Sequence, residues 1–186
     1  MRQKIFIRII FIFAGLLFGG CMDDTQSDNT DFELKEGDRL PSFRIEKNDG
    51  DTIATNDLYG KISVIMLFNT SCPDCRQEIP RMQEVYNWYY EHPEVEFLCI
   101  SRAEERLSVE KFWTENNITL PFSPQSTTDV FKLFADYTIP RIYVADKTLV
   151  IRAAFNDNPI ATAEDIIRNI DELLKYDVFG MLRQTP

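Results

Sequence analysis

The stretch that most constrains the fold is a change of pattern around two cysteines, Cys72 and Cys75, which are separated by two residues. Residues 62–68, just before them, are almost all apolar and are typical of a buried strand. Apolar residues then recur at helical spacing, at Ile79, Met82, Val85, Tyr86 and Tyr89. The Cys-x-x-Cys motif is therefore predicted to lie where a buried strand passes into a helix.

This position gives the two cysteines a chemical role. The N-terminus of a helix carries the positive end of the peptide dipoles and free backbone N–H groups, and both stabilise a thiolate. We expect Cys72 to be the exposed nucleophile of thiol–disulfide exchange, and Cys75, one turn further, to be more buried and to resolve the mixed disulfide. Pro73 suits the first turn, where its missing N–H removes no hydrogen bond.

Two other roles for the cysteine pair are weaker. A zinc half-site would need two more ligands at metal-binding spacing, and the remaining candidates, Cys21, His92 and Cys99, form no second pair. A structural disulfide across so short a ring would stabilise the fold little. The sequence therefore favours a redox-active dithiol and predicts neither a metal nor another cofactor.

The residues from Cys72 to Pro80, Cys-Pro-Asp-Cys-Arg-Gln-Glu-Ile-Pro, resemble the active-site segment of the TlpA/ResA family of extracytoplasmic thiol–disulfide oxidoreductases, which are thioredoxin-like and similar to AhpC/TSA proteins. The resemblance extends more loosely over residues 34–176. It implies an α/β thioredoxin fold with a central mixed sheet flanked by helices and an N-terminal β-hairpin extension. It also implies an enzyme that acts on protein disulfides and receives electrons from an upstream membrane donor.

The resemblance also implies where a substrate binds. In thioredoxin-like proteins a cis-proline precedes a strand opposite the Cys-x-x-Cys motif, and Pro140 stands at that place. The backbone of Ile139 would then pair with an incoming peptide beside Cys72, with Pro73 and Asp74 on the other side. One departure is Ser71, which replaces the tryptophan usual before the first cysteine, so substrate recognition is expected to differ.

Two acidic residues near the cysteines bear on the chemistry. Glu78 lies three residues after Cys75, at a functional position of the family, and could accept the proton that Cys75 loses; the alternative is a solvated helix glutamate. Asp74 opposes thiolate formation by like charge, which predicts a reductant, whereas Arg76 acts in the other direction.

The N-terminus is predicted to be a signal peptide. Residues 1–20 combine three basic residues with an apolar core that is too short to span a membrane. The sequence around Cys21 resembles a bacterial lipoprotein cleavage site, which predicts lipidation of Cys21 and attachment to a membrane of the bacterial cell envelope, on its extracytoplasmic side. Cleavage without lipidation and an uncleaved anchor are the alternatives.

The predicted organisation is one domain behind a tether. Residues 21–33 are polar and acidic, which predicts a lipidated linker, and they also resemble a surface-export signal. Residues 34–176 form the thioredoxin-like domain, and residues 177–186 a C-terminal tail. The formal net charge of −10 makes nucleic acid an improbable partner.

The remaining elements follow from local signals. Asn48-Asp49-Gly50 predicts a hairpin turn, residues 95–100 a strand parallel to 62–68, and residues 107–116 a second helix. Residues 126–134 are predicted to form a third helix and Thr162 to cap a last one. Residues 149–155 are expected to pair antiparallel with 141–145.

Two rival functions remain at this point. A thiol peroxidase shares much of the expected fold, but peroxiredoxins place Thr or Ser three residues before the reactive cysteine, where this chain has Asn69. A non-catalytic binding lipoprotein would keep the Cys72–Cys75 disulfide only as structure.

Overall fold

The computed structural model describes the backbone of residues 32–182 and the side chains of residues 32–175. Cys21, the predicted signal peptide and nearly all of the predicted tether lie outside this range. Within it, the elements in chain order are β1 (Arg44–Glu46), β2 (Thr52–Ala54), β3 (Ile62–Phe68), α1 (Pro73–Tyr89), β4 (Val95–Ser101), α2 (Arg106–Glu115), β5 (Phe122–Ser123), β6 (Arg141–Ala145), β7 (Ile151–Phe155) and α3 (Ala163–Leu182).

A mixed five-stranded sheet organises the domain, with strand order β5-β4-β3-β6-β7. β3 pairs in parallel with β4 and antiparallel with β6, so it is the central strand. Every residue of β3 is buried, which explains its nearly continuous apolar sequence. The predicted β3–α1–β4 crossover and the predicted antiparallel pairing of the last two strands are confirmed.

The two faces of the sheet bury separate cores, because side chains alternate along a strand. Val64, Met66 and Phe68 lie in a cluster that contains residues of all three helices. Ile65 and Leu67 lie in the other cluster, with residues of the N-terminal hairpin. The active-site helix is therefore fixed by the first cluster.

The N-terminal hairpin, β1 paired with β2, is confirmed, and it is fastened to the edge of the main sheet. The backbone N–H of Asn48, in its turn, donates to the carbonyl of Phe122 at 2.7 Å, and the Asn48 side chain accepts from the N–H of Phe122 at 3.1 Å. The hydroxyl of Ser123 donates to the carbonyl of Glu46 at 2.5 Å. These bonds occupy groups of β5 at the sheet edge.

The predicted third helix at residues 126–134 is wrong: only a 3₁₀ turn, Phe131–Leu133, forms there. The buried rings of Phe131 and Phe134 are held on one side by the tight turn. Ala135 then forms an antiparallel bridge with Glu33, and Asp136 N–H donates to the carbonyl of Phe32 at 2.9 Å. Pairing with the N-terminal segment thus replaces helix propagation.

Both ends of the fold reach beyond the predicted domain limits. Phe32 and Glu33 pair with residues 135–136. At the other end α3 continues to Leu182, past residue 176. Its predicted capping box is present: Thr162 Oγ1 accepts from Asp165 N–H at 3.1 Å, and Asp165 Oδ2 accepts from Thr162 N–H at 3.3 Å.

Candidate dithiol active site

Cys72 stands at the N-cap of α1, as the strand-to-helix pattern predicts. Its backbone is extended (φ −76°, ψ 123°), and its carbonyl accepts the first helical bond from Arg76 N–H at 3.1 Å. Pro73 is the first helical residue. The Cys72 side chain is partly exposed and therefore faces both the positive helix end and solvent.

A three-residue loop between β3 and Cys72 is held by Asn69. The carbonyl of Asn69 accepts from Cys72 N–H at 3.0 Å, and its side-chain Oδ1 accepts from Ser71 N–H at 2.8 Å and Ser71 Oγ at 2.5 Å. Its Nδ2 donates to the carbonyl of Arg102 at 2.9 Å. Asn69 therefore fixes the course of the backbone that leads to Cys72, in the manner of an Asx turn.

Glu104 holds the same loop from the segment after β4. One carboxylate oxygen accepts from Thr70 N–H at 2.8 Å, and the other accepts from the Thr70 hydroxyl. Glu104 is itself anchored, because its N–H donates to the carbonyl of Gln125 at 2.8 Å. The loop before Cys72 is thus linked through Glu104 to the backbone of Gln125, just after β5.

The loop before β6 brings Ile139 next to Cys72. The Cys72 Sγ donates to the carbonyl of Ile139 at 3.6 Å. The Ile139–Pro140 peptide bond is cis, as predicted. Arg141 holds this loop: it is buried, donates to the carbonyl and hydroxyl of Thr138 at 3.1 and 2.9 Å, and pairs with Glu33 at 2.5 Å.

Cys75 lies beneath Cys72 and is fully buried. Burial raises the pKa of the Cys75 thiol well above its ordinary value; the neighbouring Cys72 and Asp74 side chains add to this, and the Asn69 backbone opposes it. Neither sulfur forms a disulfide with another described cysteine. An exposed sulfur above a buried, protonated one is the arrangement that the sequence predicts for an attacking and a resolving cysteine.

Glu78 is not the solvated glutamate of the alternative interpretation. Its side chain is 1% exposed, and no residue whose side chain is described forms a hydrogen bond with its Oε1. Oε2 pairs with Arg81 at 3.3 Å. Burial raises the pKa of the Glu78 carboxyl, and Arg81 acts against that rise. A buried carboxyl one helical turn after Cys75 is suited to exchanging a proton with it.

Two charged side chains beside the cysteines, Asp74 and Arg76, have opposite effects on thiolate formation. Asp74 is partly buried and raises the pKa of Cys75. Arg76 is exposed, and its guanidinium lies over the ring of Phe112 at 5.5 Å from the centroid. Its charge is therefore drawn toward α2, which leaves the effect of Asp74 less opposed than the sequence suggests.

Metal-binding side chains do not gather at this site. In the part of the chain whose side chains are described, no group of three or more His, Cys, Asp or Glu residues could hold a metal ion. Cys99, the third described cysteine, is buried in β4, and burial raises its pKa.

Residues 36–154 match the AhpC/TSA family. The chain belongs to this family. A thiol-disulfide oxidoreductase ResA from Halalkalibacterium halodurans is 25% identical over 150 residues, which are 81% of this chain and 72% of that protein. The ResA of Oceanobacillus iheyensis is 27% identical over 139 residues, covering 73% of this chain and 71% of that protein. These relatives confirm the predicted TlpA/ResA-like membership and the predicted enzyme class, a thiol–disulfide oxidoreductase.

Solved structures confirm the thioredoxin fold of this AhpC/TSA family member. A thiol:disulfide interchange protein of the thioredoxin family from Chlorobium tepidum matches with a TM-score of 0.64 and 23% identity, over 77% of this chain and 99% of that one. The thioredoxin domain of a thiol-disulfide oxidoreductase from Bacteroides vulgatus matches with a TM-score of 0.65 and 19% identity, over 75% of this chain and 98% of that one.

Among the described residues, no helix is long and apolar enough to span a membrane.

Sequence reasoning missed the residues that hold the site. Asn69 followed by Ser71 is a local turn signal that could have been used. Glu104 and Arg141 act over long sequence separations and carry no local signal. Arg81 could have been noticed from its i+3 spacing to Glu78.

Proposed function

We propose that the chain reduces disulfide bonds in proteins outside the cytoplasm, using Cys72 and Cys75 as its redox pair. The observation that carries the proposal is the vertical arrangement of the two sulfurs: Cys72 is partly exposed at the N-cap of α1, and Cys75 is fully buried beneath it. Only Cys72 can reach the disulfide of another protein, and Cys75 is positioned to attack Cys72 and so release the bound substrate.

In the first step the thiolate of Cys72 attacks one sulfur of a substrate disulfide. A Cys72–substrate disulfide forms, the substrate S–S bond breaks, and the second substrate sulfur leaves as a thiolate. The carbonyl of Ile139, which receives the Cys72 thiol in the free enzyme, is the group with which an extended substrate peptide pairs. Pro73, Asp74 and Pro140 border this position.

In the second step Cys75 loses its proton and attacks Cys72. The Cys72–Cys75 disulfide forms, and the substrate leaves with both of its sulfurs reduced, having gained the two electrons that the pair lost. The raised pKa of Cys75 makes a nearby base necessary, because few buried thiols ionise at neutral pH. Glu78, buried one turn away on the same helix, is that base.

The direction of electron flow follows from the thiols. A reduced pair whose thiolate is poorly stabilised gives up electrons readily. The protonated Cys75 and the carboxylate of Asp74 both favour that situation. We therefore propose a reductant. A redox titration with glutathione buffers that gave a potential as high as that of a strong periplasmic oxidant would contradict this proposal.

The location of the enzyme is part of the proposal. Residues 1–20 are a cleaved signal peptide, Cys21 is lipidated, and the acidic residues after it tether the domain to a bacterial membrane. A membrane donor must then return electrons to the Cys72–Cys75 disulfide. Radiolabelled palmitate should enter the full chain but not the Cys21→Ser variant; equal labelling of both would contradict lipidation at Cys21.

A trapping experiment tests the redox pair directly. Cys75→Ala should accumulate mixed disulfides through Cys72 in the producing cell, and mass spectrometry after purification should name the partners. The matched control, Cys72→Ala in the same background, should trap none. Failure to trap partners, together with consumption of hydrogen peroxide by the unaltered protein, would contradict the proposal in favour of a thiol peroxidase.

A further inference from the structure

Among residues 32–175, Glu78 has one cationic partner, Arg81, which is on the same helix. Arg81 contacts Oε2 at 3.3 Å, and its side chain is 41% exposed while that of Glu78 is 1% exposed. The guanidinium therefore reaches from solvent to a carboxylate that solvent does not reach. The other oxygen, Oε1, is buried and has no partner among the described residues.

The other charged groups around this pair are acidic or engaged elsewhere. Arg81 lines a shallow surface cavity together with Glu84 of α1 and Glu164 of α3. Asp165, also at the start of α3, is bound by Thr162 and Arg168. On the motif side, Asp74 and the two thiols are the nearest titrating groups along α1. Burial disfavours ionisation of Glu78 and Arg81 favours it, so Arg81 is the group that supports the carboxylate.

We propose that Arg81 is a positioning residue for the resolving step: it holds Glu78 as a carboxylate with Oε2 bound and Oε1 left open to receive the proton of Cys75. The proposal rests on the proposed function, in which Cys75 must be deprotonated. One oxygen of Glu78 is anchored toward solvent and the other is unoccupied inside. A buried base needs both: the ion pair at Oε2 keeps the carboxylate charged, and Oε1 remains free to accept a proton.

The proton is accounted for at each point. As Cys75 attacks Cys72, its proton passes to Oε1 of Glu78, and the substrate thiolate leaves. The protonated Glu78 no longer holds the guanidinium strongly, because the pair has lost one of its charges. Once Arg81 has moved away from the neutral carboxyl, water can reach Glu78 and take the proton, and the salt bridge then forms again.

Removing Arg81 should weaken the base without removing it. Without the guanidinium, burial alone governs Glu78, its pKa rises further, and the carboxylate fraction falls at pH values near that pKa. We expect Arg81→Gln to slow the resolving step in that range by about tenfold for each unit that the pKa rises, with the difference closing at higher pH. Arg81→Lys should restore most of the rate, since it restores the charge.

The measurement is stopped-flow reaction with an aromatic disulfide, 5,5′-dithiobis(2-nitrobenzoate). Attack by Cys72 releases the first coloured thiolate, and attack by Cys75 on the mixed disulfide releases the second. The rate of the second phase is recorded against pH for the unaltered chain and for Arg81→Gln, Arg81→Lys and Glu78→Gln. Glu84→Gln, which changes a neighbour in the same cavity, is the matched control and should leave both phases unchanged.

The outcomes separate the two proposals. The positioning role of Arg81 is supported if Glu78→Gln slows the second phase and Arg81→Gln shifts the pH profile of that phase to higher pH. The variant that carries both changes should then be no slower than Glu78→Gln alone. If Glu78→Gln slows the second phase but Arg81→Gln leaves the profile in place, the role of Arg81 is refuted and the proposed function stands. If no second phase exists even in the unaltered chain, the redox pair itself is refuted.

Discussion

Replacing Glu78 with methionine should make the protein more stable and less active. The carboxyl is buried, and within the described part of the chain Oε1 has no hydrogen-bond partner and Oε2 binds only the half-exposed Arg81. Methionine has nearly the same length and no polar atom, so it can occupy the same space without a cavity.

The size of the gain follows from the two contacts that are lost. An unsatisfied buried polar group costs about 1–3 kcal/mol of stability, and more when it is charged. An ion pair with a side chain as exposed as that of Arg81 contributes about 0–1 kcal/mol. The net expectation for Glu78→Met is therefore a gain of about 1–2 kcal/mol in the free energy of unfolding at neutral pH.

The gain should depend on pH in a defined direction. Burial raises the folded-state pKa of Glu78 above its unfolded value, so the folded chain keeps this proton longer as the pH rises. The ionised carboxyl therefore lowers the stability of the unaltered protein above about pH 4.3, and this loss is absent at lower pH. The difference between the variant and the unaltered chain should shrink as the solution is acidified.

Urea unfolding of the reduced proteins, followed by circular dichroism at several pH values, measures this difference. Glu84→Met is the control: it removes the same charge from an exposed position on α1 and should change stability by less than about 0.5 kcal/mol. The second phase of the aromatic disulfide reaction should fall at least about a hundredfold in Glu78→Met. A variant that is less stable than the unaltered chain, or a gain that grows on acidification, would refute the reasoning.

Two further variants and one labelling experiment test the surroundings of the site. Arg141→Met leaves the partly buried Glu33 without its ion-pair partner and should lower the free energy of unfolding, measured by urea titration, by about 2–3 kcal/mol. The loss stays below that expected for a fully buried ion pair because Glu33 is partly exposed. Glu104→Gln removes one of the two acceptors of Thr70 and should lower it by about 1 kcal/mol; an unchanged midpoint would argue against the clamp. Iodoacetamide should label Cys72 in the folded reduced protein and reach Cys99 only when urea unfolds it, as peptide mapping would show, because Cys99 is buried and its pKa is raised.

Much of the fold could be predicted because its signals are local. The apolar run of β3, the helical spacing after Cys72 and the turn at Asn48 each indicate one element within a short window. The failure at residues 126–134 has the opposite cause. A capping pattern favoured a helix there, but pairing of residues 135–136 with Phe32 and Glu33, about a hundred residues earlier, ended it after one 3₁₀ turn.

The sequence by itself determined which groups are placed together along the chain: two thiols at the start of a helix, a proline before a strand, and a carboxyl one turn after the second thiol. The tertiary structure decided how those groups are tuned. Whether Glu78 is solvated or buried, and whether Glu104 holds the loop of Cys72, depends on which segments pack together around the sheet. Spacing along a helix is a local property of the chain, whereas burial and charge pairing arise only when distant segments exclude water from the same site.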